Sequence, residues 1–323
     1  MSQTLLTAPS TRREWLRRIA ALGFLIPGAD SLAASRSTER TFHLCLSPAV
    51  VVEDRDLLKT VQQAGVGSVW LAGFFYGHHP YSASLLRQAR QCVEDAGMAA
   101  HLINVPLGHP GDALGSSDGG FPLTPPKHWQ TGRSSDNRTY AGTSLHPPAT
   151  EENAAALRQL RKQGFKCCFL DDDFRLARGP GEIGGCYCAQ HRKRFLESGG
   201  YPDGRWDELL DDVRARRLTP LLHSWTEFTC DELTGSFQAQ ESGFGRELGI
   251  MVMYLGAEKA GIRLEDYVRA PFRVGELMFD DASFGSVKGQ CRLEIHSVMN
   301  SNLYSGTAFD AVFLSRRGQL LTG

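Results

Sequence analysis

From Thr41 onward, short apolar runs of strand length alternate with helical patterns, and this alternation restricts the fold more than any other feature of the chain. Phe42–Leu46 reads as a first strand, followed by a helix from Asp54 to Ala64 that Gly65 closes. Ser68–Gly73 is a second strand and runs into an aromatic, histidine-bearing loop, Phe74 to Tyr81. Ser82 caps a helix through Asp95, stopped at Gly97, and Met98–Val105 is a third strand. Thr150 opens a helix to Gln163 with Glu151 and Glu152 in its first turn, where the helix dipole favours them. Lys166–Leu170 is a fourth strand, and helical patterns follow at about Ala189–Glu197 and Thr219–Gln240. Leu248–Tyr254 and Gly275–Phe279 read as the fifth and sixth strands. A helix from about Ser286 to Val298 and a weak strand at Ala311–Leu314 end the pattern.

Runs as apolar as Cys167–Leu170 are buried on both faces, as in parallel sheets covered by helices. The expectation is therefore an α/β fold of the (β/α)8 TIM-barrel type. An open doubly wound sheet competes, but no glycine-rich nucleotide loop follows the first strand. The pattern yields no eighth strand, so either the expected barrel is incomplete at its C-terminal end or the last forty residues hold a strand that the pattern does not reveal. Residues 106–148 break the rhythm with Gly, Pro, Ser and His and no periodicity, and read as a long irregular loop, a lid or a substrate wall.

The first 34 residues stand apart from this domain, which takes in residues 35–323. Thr11-Arg12-Arg13-Glu14-Trp15-Leu16 precedes an apolar stretch from Ile19 to Leu32 and a small-residue site near Ala33. The order resembles a twin-arginine export signal and implies a periplasmic or secreted protein, one that crosses the membrane folded and can carry a metal with it. The competing reading is an amphipathic first helix. No later apolar run is long enough to span a bilayer, so no stable membrane anchor is expected. A net charge of −1, without a basic run, gives no reason to expect a nucleic-acid partner.

Two constellations carry chemistry. Asp171, Asp172 and Asp173 close the fourth strand, and Asp280 and Asp281 close the sixth. Strand ends of a parallel barrel face one mouth, so these carboxylates can flank one bound sugar as acid and as base or nucleophile. Side chains alternate along a strand, so Asp171 and Asp173 share a direction and Asp172 takes the other. The same residues could be strand-end or helix caps, or hold a divalent cation. His78, His79, Asp172 and Arg175, at or just beyond strand ends, are candidate sugar contacts. Trp70, Phe74, Phe75, Tyr76 and Trp129 either stack on sugar rings or belong to the core.

The second constellation is Cys186-x-Cys188-x-x-His191, two thiolates and an imidazole at a spacing suited to part of a tetrahedral zinc site. The fourth ligand would come from His109 or another histidine of the long loop. The alternative is a pair of free cysteines beside a surface histidine. Eight cysteines in an exported chain would ordinarily point to disulfides. Here Cys45, Cys92, Cys167 and Cys168 instead sit in apolar runs where buried thiols are common.

An acidic strand end, a short loop, Cys-Tyr-Cys-x-x-ligand and an aromatic four residues on, here Phe195, together resemble glycoside hydrolase family 42, the β-galactosidase-type barrels. Phe228-Thr229-Cys230-Asp231 and Phe279-Asp280 are similar to later motifs of that family, and the resemblance covers about Phe42 to Phe284. It implies a β-galactosidase-like hydrolase of O-glycosidic bonds that needs no cofactor for catalysis. It also implies Asp173 as acid/base and a structural zinc on Cys186, Cys188 and His191. The chain departs from the family in four places. Asp173 stands for a glutamate, Asp172 for an asparagine and His191 for a third cysteine, and no glutamate follows Glu294 to serve as the seventh-strand nucleophile. Asp280 or Asp281 could supply the second carboxylate. Otherwise the chain is a non-catalytic or inactivated carbohydrate-binding barrel, or a divalent-metal-dependent barrel hydrolase.

Overall fold

The computed structural model describes residues 41–107, 125–171, 174–176, 182–252 and 261–267, with the backbone of Phe272–Met278, Glu294–Met299 and Ala311–Leu314. The proposed signal at residues 1–34 lies outside the described residues.

Eight strands close into a barrel. In chain order they are β1 (Thr41–Leu46), β2 (Val66–Phe75), β3 (Ala99–Val105), β6 (Cys168–Leu170), β7 (Leu248–Val252), β8 (Phe272–Met278), β9 (Glu294–Met299) and β10 (Ala311–Leu314). Between β3 and β6 the chain inserts a two-stranded hairpin, β4 (Thr131–Arg133) and β5 (Thr139–Thr143). The expected irregular loop thus carries structure of its own in its second half, while 108–124 lies outside the described residues.

The α/β barrel is therefore present, and its C-terminal end differs from the expectation. Glu294–Met299, the end of the expected last helix, is a strand running antiparallel to both β8 and β10. Its residues suit either period, and pairing on both sides decides in favour of the strand, since tertiary context outweighs local propensity. β10 then pairs in parallel with β1, Phe42 opposite Val312 and Leu44 opposite Leu314, so no sheet edge is left open.

The described helices are α1 (Pro48–Glu53), α2 (Arg55–Gln63), α3 (Ala83–Asp95), α4 (Ala149–Lys162), α5 (Ala189–Gly199), α6 (Arg205–Ala215) and α7 (Pro220–Phe244). Their starts follow from side-chain oxygens that satisfy otherwise orphaned amides. Asp54 accepts from Leu57 N at 2.9 Å, Ser82 from Leu85 N at 3.2 Å, and Thr219 from Leu222 N at 3.1 Å, with Pro220 in the first turn of α7. None of the described helices is long and apolar enough to cross a membrane.

Alternation along the strands divides the core into two layers. Leu44, Leu46, Val69, Leu71, Leu102, Cys168 and Leu170 pack against the helices. The opposite positions fill the barrel with Trp70, Ile103 and Phe169. His43 and His101 belong to this inner layer: Trp70 Nε1 donates to His43 Nδ1 at 2.8 Å, and the His101 ring lies 4.6 Å from that of Trp70. A third, mostly aromatic cluster, with Tyr187, Phe195, Trp206 and Trp225, joins α5, α6 and α7 outside the barrel.

One buried polar residue fixes the rim between β2 and β3. Asn104 Oδ1 accepts from Phe74 N at 3.0 Å, and a Cβ at Gly73 would come within 2.3 Å of that oxygen. Glycine is required there by the close approach.

Candidate functional site

Asp171 stands at the C-terminal end of β6, its amide donating to Asn104 O at 2.7 Å. Two residues beyond the inward-facing Phe169, it takes the inward direction at the mouth of the barrel. Asp172 and Asp173, and Asp280 and Asp281 after β8, lie outside the described residues. Phe174 has a left-handed backbone, φ 39°, and its ring packs edge-on against Phe237 and Tyr267. The neighbouring Arg175 is also buried.

On the opposite side of β3, the loop after β2 turns tightly through Tyr76 and Gly77, both at positive φ, and the backbones of Phe75 and His78 pair across it. The His79 ring lies 4.8 Å from Phe74, and burial lowers its pKa. Of the two readings of the aromatic residues here, sugar stacking or core, the structure shows core. Trp70, Phe74, Phe75, Tyr76 and Trp129 are all buried within the core clusters. Trp129 is also tied down by its indole, which donates to Glu152 Oε2 at 2.7 Å.

The densest cluster of chemistry lies just behind this rim. His146, which follows the β4–β5 hairpin, joins Cys188 and His191, with one donor atom of each within 4.8 Å of the others. His146 Nε2 is 3.2 Å from Cys188 Sγ, His191 Nδ1 is 3.3 Å from the same sulfur, and the two imidazoles stack at 4.2 Å. Cys186 lies beside the group as a partner of Cys188, and its sulfur accepts from Arg133 N at 3.3 Å. All four residues are buried.

Local structure explains the convergence. A left-handed Gly185, φ 118°, carries the chain into Cys186, and a Cβ there would fall 2.4 Å from the Trp225 ring. Trp225 Nε1 in turn donates to Gly184 O at 3.0 Å, which sets the loop before α5. Cys188 is the N-cap of α5, so His191 follows on the first turn, facing back over the sulfur.

The electrostatics favour one thiolate. The hydrogen bond from Cys186, assisted by His146 and His191, holds the Cys188 thiol far below its ordinary pKa, while the same bond and burial push Cys186 up. Burial opposes charge on His191, yet the partners Cys188 and Glu232 outweigh it and raise its pKa. Burial likewise works against ionised Glu232, and His191 and Arg194 outweigh it, so its pKa is lowered.

His146, Cys188 and His191 offer one sulfur and two nitrogens to a single ion, a donor set that suits zinc, and Cys186, the partner of Cys188, is the candidate fourth ligand. Tetrahedral zinc with these ligands holds sulfur and nitrogen about 3.5 Å apart, close to the 3.2 and 3.3 Å seen here. Of the residues singled out by spacing, Cys188 and His191 are brought together, with Cys186 beside them as a partner of Cys188. His109 lies outside the described residues, and the long loop's contribution is His146. Its only sequence signal was membership of that loop. Glu232, 41 residues beyond His191 on α7, had none.

No family model matches this chain, and no curated protein matches its sequence. Several solved structures are similar to it at low identity. The α-L-fucosidase isoenzyme 2 of Paenibacillus thiaminolyticus is 11% identical with a TM-score of 0.36 over 76% of this chain, which spans about half (48%) of the fucosidase. A sugar phosphate isomerase/epimerase of Parabacteroides distasonis is 7% identical with a TM-score of 0.33 over 77% of this chain and 69% of its own. A morphinone reductase is 12% identical with a TM-score of 0.32 over 74% and 67%. The strand order and closure of this chain place it, on its own geometry, among the closed α/β barrels.

Proposed function

We propose that this chain is a glycosidase-type barrel that takes a carbohydrate at the C-terminal mouth. A structural zinc ion, held by His146, Cys186, Cys188 and His191, braces the mouth from behind. The observation that carries the reading is the joint position of Asp171 and the cluster. The carboxylate ends β6, and the Cys/His group ties together the two loops that follow the paired strands β3 and β6. With Cys186 as the fourth ligand the ion would have no coordination site open, which suits a metal that cross-links rather than one that activates water. The zinc would lock the β4–β5 hairpin and the loop before α5 against each other.

In this reading Asp173 is the acid/base and Asp280 or Asp281 the second carboxylate, with Asp171, Asp172, His78, His79 and Arg175 around the sugar. The expected test is a screen of aryl glycosides together with calorimetric sugar binding. Loss of over about nine-tenths of turnover in Asp173→Asn, with the fold intact, is the expected result for a general acid, whose contribution is commonly 100-fold or more. Unchanged turnover removes the assignment.

Aspartate at position 173, where the resembled family has a glutamate, supports a second reading, a barrel that binds carbohydrate without cleaving it. Calorimetric binding with no turnover of any glycoside selects it. Export belongs to the same proposal: replacing Arg12 and Arg13 by lysine is expected to keep the chain in the cytoplasm. Unimpaired export sinks the twin-arginine assignment.

A further inference from the structure

His191 can offer a metal either ring nitrogen, and the two lead in opposite directions. Nδ1 faces Cys188 Sγ at 3.3 Å, inside the cluster. Nε2 points outward to Glu232 Oε2 at 3.4 Å, close enough for an ion pair but not aligned as a hydrogen bond. Glu232 is held in place from its far side. Arg194, one turn after His191 on α5, meets both carboxylate oxygens, Nη1 donating to Oε2 at 2.7 Å and Nη2 to Oε1. A fork of this kind fixes the plane of a carboxylate as well as its position. The Arg194 guanidinium in turn rests over the Phe228 ring at 5.7 Å. The line Arg194–Glu232–His191 thus runs from half-exposed surface to a histidine only 1% exposed.

We propose that Glu232 is a positioning residue for the Cys/His metal centre: it selects the Nε2–H tautomer of His191 and so makes Nδ1 the ligand atom. Metal-bound histidines almost always donate their second N–H to a carboxylate, carbonyl or water, which fixes the ring and strengthens the donor. His146 differs, since it reaches the cluster through Nε2. The centre therefore takes one imidazole by each nitrogen. The Glu232 carboxylate is itself matched by Arg194, so it adds no unpaired charge beside the centre. The inference rests on the zinc reading given above.

The test uses the full chain loaded with zinc and labelled with ¹⁵N-histidine. Long-range proton–nitrogen correlations report which ring nitrogen carries the proton. The expected spectrum has His191 protonated on Nε2 and His146 on Nδ1. His191 protonated on Nδ1 in a zinc-loaded chain overturns this inference alone. A chain that takes up no zinc overturns the reading of the cluster and this inference with it.

Affinity for zinc against a competing chelator supplies the second measurement. Glu232→Ala is expected to weaken binding 10- to 100-fold, the usual effect of removing a ligand's outer partner. Glu232→Gln should lose less, because its amide oxygen still accepts from Nε2–H. Arg194→Met leaves the His191 contact in place and should fall between wild type and Glu232→Ala. Wild-type affinity in Glu232→Ala refutes the proposal. If Glu232→Ala fails to fold, the spectrum of the unaltered chain and the Arg194→Met affinity still decide.

Discussion

Acidification is expected to destabilise the barrel from the inside. His43 and His101 flank Trp70 in the barrel's inner layer, and burial lowers the pKa of each from 6.5 to about 4, His101 adding to the effect on His43. His43 has a further reason to stay neutral, because its Nδ1 lone pair accepts the Trp70 N–H. Between pH 6.5 and about 4 the unfolded chain binds protons at these positions and the folded chain does not. Stability is therefore complete above pH 6.5 and falls as the pH drops toward 4, by at most about 1.4 kcal/mol per pH unit for each histidine. Over the whole window that amounts to roughly 3 kcal/mol per histidine, an upper figure for two interacting groups. The measurement is urea unfolding of the wild type and of His101→Phe, which keeps a ring beside Trp70, at several pH values in that window. Groups outside the inner layer are common to both proteins and cancel in the difference. The wild type should lose about 2–3 kcal/mol more than the variant on acidification. Parallel stability curves would falsify the assignment of these histidines to a dry, neutral layer.

Three further outcomes follow from named contacts. Asn104→Ala should cost about 1–3 kcal/mol in unfolding free energy, since it leaves the buried Phe74 N–H without its acceptor. A loss below about 0.5 kcal/mol would mean that the rim is not held this way. Gly185→Ala should destabilise by about 1–3 kcal/mol, combining a left-handed backbone with a Cβ 2.4 Å from Trp225. Restoration by Trp225→Leu would locate the clash, and no restoration would deny it. Chelation of bound zinc should lower the melting temperature of the wild type by an amount matching about 4 kcal/mol at a thousand-fold saturation. It should leave Cys188→Ser unchanged, and equal shifts in both would show that the metal does not sit on this cluster.

Much of the barrel was legible because its first strands are apolar on both faces and its helices are capped by residues whose chemistry is local. Ser82, Asp54 and Gly97 mark helix ends through hydrogen bonds and backbone angles that span only a few residues. Glu294–Met299 misled because its side chains suit more than one period, and only the ladders of β8 and β10 choose between them. The aromatic residues near the mouth were left between two readings by the sequence. Composition marks Phe74 or Trp129 as able to stack on a sugar, but which surface their rings meet depends on residues far along the chain, such as Glu152.

The candidate site divides along the same line. By itself the sequence determined which chemistry was available: carboxylates ending a buried strand, and two thiols with an imidazole within six residues of chain. Those spacings are short, so the backbone alone brings the groups near one another. Tertiary structure decided the rest. It closed the barrel through an antiparallel strand, brought His146 back across 42 residues to Cys188, and set Glu232 against the outer nitrogen of His191. Contacts of that separation depend on how helices and loops pack around the barrel, and no local pattern encodes them.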